Sequence, residues 1–218
     1  SSMKKLVIFD LDGTLLNTIA DLAHSTNYAL NKLGYPTHEI EKYNFMVGNG
    51  IDKLFERALP EEEKSKENVL RVRKEFVPYY DIHNADDSRP YPGIPELLSY
   101  LQNAGVQIAV ASNKYQAATQ KLVDHYFPEI HFTAVFGQRE GVKVKPDPII
   151  VSDILEVAKV AKEEVLYVGD SGVDMQTAAN AGVTACGVTW GFRPRTELEE
   201  FNPSYIADTA GEIKKLIL

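Results

Sequence analysis

The chain has 218 residues, of which 25% are charged and 44% are hydrophobic, and its formal net charge is −8 at pH 7. This composition is typical of a globular protein and excludes an intrinsically disordered chain. The negative charge argues against general nucleic-acid binding, which needs basic surface to neutralise phosphates. At this length we expect one large α/β domain, or one domain that carries a small insertion.

Hydropathy and cysteine usage indicate a cytoplasmic protein without a membrane partner. No apolar run approaches the roughly 20 residues that a membrane-spanning helix needs. The N-terminal apolar run, Leu6–Phe9, is too short for a secretory signal and ends at Asp10. The single cysteine, Cys186, lies in the apolar stretch 183–188 and is predicted to be a buried, unpaired thiol.

The first predicted element is a buried strand at Leu6–Phe9, and the carboxylates Asp10 and Asp12 follow it directly. In an open α/β sheet this end of the strand is where ligands bind. Side chains two residues apart on a strand share a face, so the two acids repel each other unless a cation such as Mg²⁺ compensates them. Gly13 allows close approach to a ligand. The alternative is an Asp-rich turn, because Asp-Gly is a common turn dipeptide.

The next region, residues 17–88, predicts helices and no convincing strand. Apolar residues recur at helical spacing from Ile19 to Leu33 and again from Val69 to Tyr80. Gly34 is a natural stop for the first of these helices. Pro78 marks a kink or an end in the second.

Between these helices lies the segment 45–51, which contains Gly48, Asn49 and Gly50. The two glycines expose backbone N–H groups at a predicted helix N-terminus, and such groups suit a small carboxylate. A Gly-x-Gly pattern also occurs in dinucleotide-binding loops, but here no strand precedes it. We therefore predict that this loop binds part of a substrate.

From residue 89 onward, strands and helices alternate. A helix begins at Ile94, and Gly105 ends it. The four strands predicted after it are 106–111, 134–137, 165–169 and 183–188. This alternation predicts a parallel sheet with helices on both faces. The strand at Leu6–Phe9 joins that sheet only if the helical region is an insertion, so we predict a core of residues 1–16 plus 89–218 and a helical cap of residues 17–88.

Polar residues follow the other predicted strands as well. Ser112 and Asn113 offer a hydroxyl and an amide that can each bond a phosphate oxygen. Lys145 precedes Pro146, which we expect to occupy the first turn of a helix, and its compact charge suits a phosphoryl group. Taken alone, each of these motifs is also compatible with an ordinary solvated loop.

A second acidic pair, Asp170 and Asp174, follows the strand 165–169. The two acids are four residues apart, so they lie near one face of the helix that begins there. A helix N-cap explains one aspartate but does not explain acids at two strand ends. Together with Asp10 and Asp12 they predict an oxygen-rich Mg²⁺ site, with phosphate-binding groups around it.

These motifs, in this order, resemble those of the haloacid dehalogenase superfamily of aspartyl phosphatases, and the likeness continues to Thr189–Arg193. The resemblance implies a doubly wound, Rossmann-like α/β sheet with five core strands in the order 5-4-1-2-3 and an inserted all-helical cap. It places Asp10 on the central strand and Asp170 on a neighbouring one. The metal then lies at the topological switch point.

The resemblance also implies the role of each site residue. Asp10 is the nucleophile that forms an aspartyl-phosphate, and Asp12 is the general acid and then the general base. The Asp10 carboxylate, the Asp12 carbonyl and the Asp170 carboxylate hold Mg²⁺, and Asp174 binds the ion directly or lies close by. Lys145 stabilises charge on the transferred phosphoryl group. Ser112, Asn113 and Gly13 contact the phosphate.

Within the predicted cap, the loop 45–51 resembles the specificity loop of phosphoglycolate phosphatases. This likeness implies Mg²⁺-dependent hydrolysis of a small phosphate monoester, with 2-phosphoglycolate as the expected substrate. The expected partner is therefore a small phosphorylated metabolite, and the expected state is a monomer or a homodimer.

Four alternatives remain open at this point. A β-phosphoglucomutase-like phosphosugar mutase has the same core, so only the cap separates it from a phosphatase. A sugar-phosphate or pyrophosphatase activity of the same superfamily is equally compatible with the core motifs. A signalling receiver module also pairs acids after its first strand, but it lacks a helical insertion and is smaller. A catalytically idle binding protein is the fourth, although every expected acid and Lys145 are present.

Overall fold

The structure is a computed structural model that describes residues 3–217. The strands are β1 (Leu6–Phe9), β2 (Leu16–Asn17), β3 (Arg89–Pro90), β4 (Gln107–Tyr115), β5 (Ala134–Gln138), β6 (Val165–Gly169), β7 (Thr184–Val188) and β8 (Tyr205–Ala207). The α-helices are α1 (Ile19–Lys32), α2 (Ile51–Ala58), α3 (Lys66–His83), α4 (Ile94–Asn103), α5 (Gln116–Tyr126), α6 (Ile149–Ala158), α7 (Gly172–Ala181), α8 (Arg195–Glu199) and α9 (Ala210–Lys214). Short 3₁₀ helices cover Ile40–Phe45, Glu61–Glu63 and Lys162–Glu164.

Six of the strands form one parallel sheet in the order β5-β4-β1-β6-β7-β8. The predicted fold class, a doubly wound parallel sheet, is confirmed. Read from β7 to β5, the five predicted strands follow the order 5-4-1-2-3. The observed sheet differs from that prediction by the additional edge strand β8, whose three residues are too few to give a clear alternating pattern.

Strand β1 is the centre of the sheet because it is apolar and buried on both faces. Its last residue, Phe9, is in register with Val110 of β4 and with Val168 of β6. The residues that follow these three strands therefore emerge side by side. This register brings Asp10 close to the chain segments after Val110 and Val168.

Helices cover both faces of the sheet and create two hydrophobic clusters. Side chains from α4, α5 and α9 pack on one face with Val7 and Phe9, and side chains from α6 and α7 pack on the other with Leu6 and Ile8. The alternation of these β1 side chains follows from the two-residue period of a strand. The sheet is thereby held rigidly from both sides, so its polar edge is well fixed.

Helices α1, α2 and α3 and the 3₁₀ helix Ile40–Phe45 pack around a third hydrophobic cluster. The chain leaves the sheet region at β2 and returns at β3, and these two short strands pair antiparallel. Ala118 and Phe192 also belong to this cluster, although they lie far outside it in sequence. We refer to residues 17–88 as the helical segment, and their status as a cap domain stays a prediction.

Two local expectations were wrong. Strand β4 extends to Tyr115 instead of ending at Ala111, with an irregular register between these two residues. Pro146 does not begin a helix, since α6 starts only at Ile149.

The structure also bears on two predictions made from composition, one about the cysteine and one about membrane-spanning helices. Cys186 is a free thiol buried in β7, as predicted, and burial raises its pKa to about 12. Within residues 3–217, none of the helices is both long and apolar enough to cross a bilayer.

Candidate active site

Three carboxylates meet at the carboxyl edge of the sheet. Oxygens of Asp10, Asp170 and Asp174 all lie within 4.8 Å of one another, and each of the three residues is largely or wholly buried. Asp10 follows β1, Asp170 follows the neighbouring strand β6, and Asp174 lies in the first turn of α7. The parallel register of β1 and β6 brings Asp10 and Asp170 together, and the first turn of α7 adds Asp174.

A buried ammonium group lies inside this acidic cluster. Lys145 Nζ is 2.8 Å from Asp174 Oδ1 and 3.3 Å from Asp10 Oδ2, and it donates to the carbonyl of Ala111 at 2.9 Å. Burial alone lowers the pKa of a lysine, but here the two carboxylates outweigh burial and raise the pKa of Lys145. The lysine is therefore held as a cation beside Asp10.

Asp174 has its hydrogen-bonding capacity filled by protein groups. Its Oδ1 accepts from Lys145 Nζ and from the Tyr167 hydroxyl, both at 2.8 Å. Its Oδ2 accepts from the backbone N–H of Asp170 and from the Ser171 hydroxyl, both at 3.1 Å. Asp174 thus holds Lys145 in place, and its carboxylate has the least room for a further ligand.

Asp170 is fixed by the two segments that pass over it. Thr14 Oγ1 donates to Asp170 Oδ1 at 3.1 Å, and the backbone N–H of Phe192 donates to Oδ2 at 2.9 Å. A Cβ added to Gly13 would lie 2.1 Å from Asp170 Oδ2, and one added to Gly191 would lie 2.3 Å from Asp170 Cβ. Both positions require glycine because the backbone passes directly against this carboxylate.

The pKa shifts within the cluster differ in direction. Burial raises the pKa of Asp10 well above its ordinary value, and the charge of Asp174 raises it further. Burial and the same neighbour raise the pKa of Asp170 to about 7. Burial also opposes ionisation of Asp174, but the positive charge of Lys145 outweighs it and lowers the pKa of Asp174. Asp10 and Asp170 are therefore the two acids that gain from an added cation.

The donor set fits a hard divalent cation. Three carboxylates face a single lysine, so the ionised cluster carries excess negative charge in a buried place. Oxygen ligands of this kind are those that Mg²⁺ takes in proteins. The side chain of Asp12 is not part of this cluster.

Asp12 instead takes part in a separate polar contact. Lys114 Nζ is 3.0 Å from Asp12 Oδ1, and Thr18 Oγ1 donates to the same oxygen at 2.5 Å. Lys114 is buried, and its ammonium group lies 4.7 Å from the ring centre of Tyr80. Sequence reasoning did not select Lys114 or Thr18. The only available signal was the position of Lys114 two residues after Ser112.

A small cavity opens beside Asp10 and Asp12. The other residues that line it are Leu22, Val47, Gly48, Gly50, Ile51, Leu54, Ser112, Asn113 and Lys114. The helical segment therefore closes one side of the cavity, and the sheet edge closes the other. Helix α2 begins at Ile51, immediately after Gly50, and both of these residues line the cavity.

Ser112 keeps a hydroxyl that can bond a ligand, but three other predicted contacts are less available. The Asn113 amide donates to the carbonyls of Gly48 and Lys145, and its oxygen accepts from the Lys145 N–H. The Gly13 N–H donates to the carbonyl of Leu16. Asn49 is half-buried and does not line the cavity. Asn113 and Gly13 thus shape the site through the protein's own hydrogen bonds.

Comparison with known proteins identifies the family. A family model described as haloacid dehalogenase-like hydrolase matches residues 7–188. The chain belongs to the haloacid dehalogenase-like hydrolase family. All residues of the acidic cluster and Lys145 lie within the matched range. The resemblance inferred from the sequence motifs is therefore confirmed.

Relatives of this haloacid dehalogenase-like hydrolase carry a consistent name. A phosphoglycolate phosphatase from Vibrio parahaemolyticus is 32% identical over 218 residues, which cover 98% of this chain and 96% of the relative. One from Mesorhizobium japonicum is 32% identical over 205 residues, with 93% and 90% covered. A solved structure from Lactobacillus delbrueckii subsp. bulgaricus, provisionally named phosphoglycolate phosphatase, is 33% identical with a TM-score of 0.93 and covers 100% of this chain and 99% of its own. The chain is a phosphoric monoester hydrolase.

Proposed function

We propose that this haloacid dehalogenase-like hydrolase is a Mg²⁺-dependent phosphatase that forms an aspartyl-phosphate on Asp10, and that its substrate is 2-phosphoglycolate. The observation that carries the proposal is the meeting of Asp10, Asp170 and Asp174 around Lys145 at one sheet edge. The name shared by the relatives supports the choice of substrate.

In the first step, a carboxylate oxygen of Asp10 forms a bond to phosphorus as the ester P–O bond breaks. Asp12 gives its proton to the departing alkoxide, so the alcohol leaves neutral. Lys145, 3.3 Å from Asp10 Oδ2, stabilises the charge that spreads over the phosphoryl oxygens. Covalent catalysis of this kind divides one difficult displacement into two easier ones.

In the second step, water attacks the phosphorus of the aspartyl-phosphate and the Asp10 carboxylate leaves. Asp12 is now a carboxylate and takes the proton from the attacking water. The Asp12 side chain is held through Oδ1 by Lys114 and Thr18, which leaves its second oxygen for proton transfer. The proton that Asp12 takes in this step replaces the one that it gave in the first step.

Asp10, Asp170 and the main-chain carbonyl of Asp12 would hold Mg²⁺, with Asp174 acting mainly through Lys145. When bound, the ion supplies positive charge that screens the nucleophile from the substrate phosphate. Asp170 is fixed from both sides by Thr14 and Phe192, so it is prepared for this role without rearrangement.

The cavity supports a small substrate with a second anionic group. Its apolar wall, Leu22, Val47 and Leu54, comes from the helical segment. Lys114 and the N-terminus of α2 provide positive charge at this cavity. In this proposal residues 17–88 are the cap that selects the substrate, and residues 1–16 with 89–218 are the catalytic core.

The test is phosphate release from a panel of phosphate esters and one phosphoanhydride, with and without Mg²⁺. The panel contains 2-phosphoglycolate, a hexose phosphate, pyrophosphate and p-nitrophenyl phosphate, and Asp10→Asn is the blank. We expect Mg²⁺-dependent release with strong preference for 2-phosphoglycolate and no release by Asp10→Asn. Isomerisation of a sugar phosphate without phosphate release would instead show a mutase.

A further inference from the structure

The segment that follows β7 connects the core with the helical segment. Phe192 donates its N–H to Asp170, and its side chain belongs to the cluster that α1, α2 and α3 enclose. The next residue, Arg193, extends over the end of the 3₁₀ helix Ile40–Phe45. The chain thus passes from a candidate metal ligand to the helical segment within two residues.

Arg193 donates to main-chain carbonyls at the end of that 3₁₀ helix. Its Nε donates to the carbonyl of Asn44 at 3.0 Å, and its Nη2 donates to that of Val47 at 3.0 Å and to that of Phe45 at 3.5 Å. The guanidinium also lies 5.4 Å from the centre of the Phe45 ring. The last carbonyls of a helix lack partners within the helix, so a planar cation with several donors satisfies them well.

The guanidinium is itself fixed on the core side. Arg193 Nη1 is 2.9 Å from Glu197 Oε1, and Glu197 Oε2 accepts from the N–H of Gly172 at 2.8 Å. Gly172 is the first residue of α7, the helix that carries Asp174. The side chains of Arg193 and Glu197 are only 14% and 22% exposed, so solvent screens this pair less than an exposed one.

The carbonyl between those bound by Arg193 has a partner of a different kind. Arg57 donates to the carbonyl of Met46 at 3.0 Å, but Arg57 lies on α2, inside the helical segment. It cannot hold the loop against the core. Among the core residues that the structure describes, Arg193 and Asn113 bind residues 44–48 through side-chain hydrogen bonds, and Asn113 does so at the carbonyl of Gly48.

We propose that Arg193 is a positioning residue for substrate recognition, because it holds residues 44–47 against the core and so fixes the following loop, Gly48 to Gly50, over the cavity. The inference rests on the proposed function in one respect, namely that this loop contacts the part of the substrate that is not the phosphoryl group. Arg193 is not among the residues that line the cavity. Its effect is therefore on binding of the carboxylate and not on the phosphoryl-transfer step.

The kinetic test compares Arg193→Ala, Arg193→Lys and the control Arg195→Ala on 2-phosphoglycolate and on p-nitrophenyl phosphate. Arg195 is exposed, and within residues 3–217 its ion-pair partners are Glu199 and Asp208. We expect Arg193→Ala to raise the KM for 2-phosphoglycolate by about tenfold, while kcat and the KM for p-nitrophenyl phosphate change by less than about threefold. Arg193→Lys should recover part of the loss, and Arg195→Ala should match the wild type. An equal rise in KM for both substrates, or none, would overturn the inference.

A second readout needs no substrate and separates this inference from the proposed function. The N–H groups of Met46 and Val47 donate to the carbonyl of Tyr43, and that of Leu54 donates to the carbonyl of Gly50. In Arg193→Ala we expect these three amides to exchange with deuterium about tenfold faster, with β1 amides unchanged. Unchanged exchange would refute the positioning role. Failure of the wild type to hydrolyse 2-phosphoglycolate would refute the proposed substrate, and the exchange data would then decide the role of Arg193.

Discussion

At the scale of single residues, the site depends on how one buried cation and its acids compensate one another. Lys145 has both Asp10 and Asp174 within ion-pair distance, and the Tyr167 hydroxyl lies 3.2 Å from the same ammonium group. Removing one partner of such a group leaves uncompensated buried charge, which costs far more than an exposed ion pair contributes.

Replacement of Lys145 therefore tests this compensation. In Mg²⁺-free buffer we expect Lys145→Met to lower the free energy of unfolding by about 3–5 kcal/mol, because Asp10 and Asp174 lose their shared cation. The measurement is urea unfolding followed by circular dichroism. The exposed Lys143 supplies the control Lys143→Met, which should change stability by less than about 0.5 kcal/mol. Equal stabilities for the two variants would contradict the inferred charge balance.

A substitution of Asp12 can distinguish proton transfer by this residue from a purely structural role, because the two roles predict different effects on esters with different leaving groups. We expect Asp12→Ala to lower kcat for 2-phosphoglycolate by roughly two to four powers of ten, the usual contribution of a positioned acid and base. With p-nitrophenyl phosphate, the rate of aspartyl-phosphate formation should fall much less, because the p-nitrophenolate leaving group needs no proton. The check is the pre-steady-state burst of p-nitrophenol from p-nitrophenyl phosphate. A variant whose burst rate falls as much as its kcat for 2-phosphoglycolate would argue against Asp12 as the acid.

At the scale of elements, close backbone packing determines where the acids lie. Strand β6 ends at Gly169, and a Cβ there would lie 2.3 Å from Cβ and Cγ of Asp174 in the next helix. The strand and α7 can approach this closely only because Gly169 has no side chain. This contact places Asp174 beside Lys145.

Gly169→Ala is thus expected to destabilise the protein by about 1–3 kcal/mol, as overpacking does in a filled core. It should also lower kcat, since Asp174 moves away from Lys145. Gly211→Ala is a matched control, because a Cβ at Gly211 would lie 3.9 Å from Thr209 Oγ1, which is ordinary van der Waals contact. Thermal unfolding of both variants provides the measurement, and a stable Gly169→Ala with wild-type kcat would show that this packing is not needed.

At the scale of the whole molecule, the protein is acidic, and three of its carboxylates lie together in the candidate site. The formal net charge is −8, and the cluster of Asp10, Asp170 and Asp174 is buried around a single lysine. A cation that binds the folded protein and not the unfolded chain shifts the unfolding equilibrium toward the folded state. The folded protein as a whole should therefore respond to Mg²⁺.

We expect Mg²⁺ at 100 times its Kd to stabilise the protein by about 2.7 kcal/mol, which raises Tm by roughly 5–10 °C for a chain of this size. Differential scanning calorimetry with and without MgCl₂ measures the shift. KCl at matched ionic strength is the control for screening, and Asp170→Asn should abolish most of the shift. An equal rise in KCl would mean that screening, and not a bound ion, stabilises the protein.

Local patterns predicted much of the site because they depend on neighbours in the sequence. An apolar run followed by acids at Asp10 and at Asp170 indicates two strand ends, and parallel strands bring such ends together. Lys114 and Thr18 were not selected, because their contact with Asp12 joins residues from different elements. The Asn113 amide was predicted to bond phosphate, but in the fold it bonds Gly48 and Lys145.

The order of apolar and polar residues along the chain was sufficient for the family, the parallel sheet and the acids of the site. These features follow from strand and helix periods and from motifs that span a few residues. Only the tertiary structure determined that Lys145 lies between Asp10 and Asp174, and that Arg193 reaches the loop before Gly48. Such contacts join residues far apart in sequence, so they depend on how whole elements pack. A local sequence pattern therefore cannot predict them.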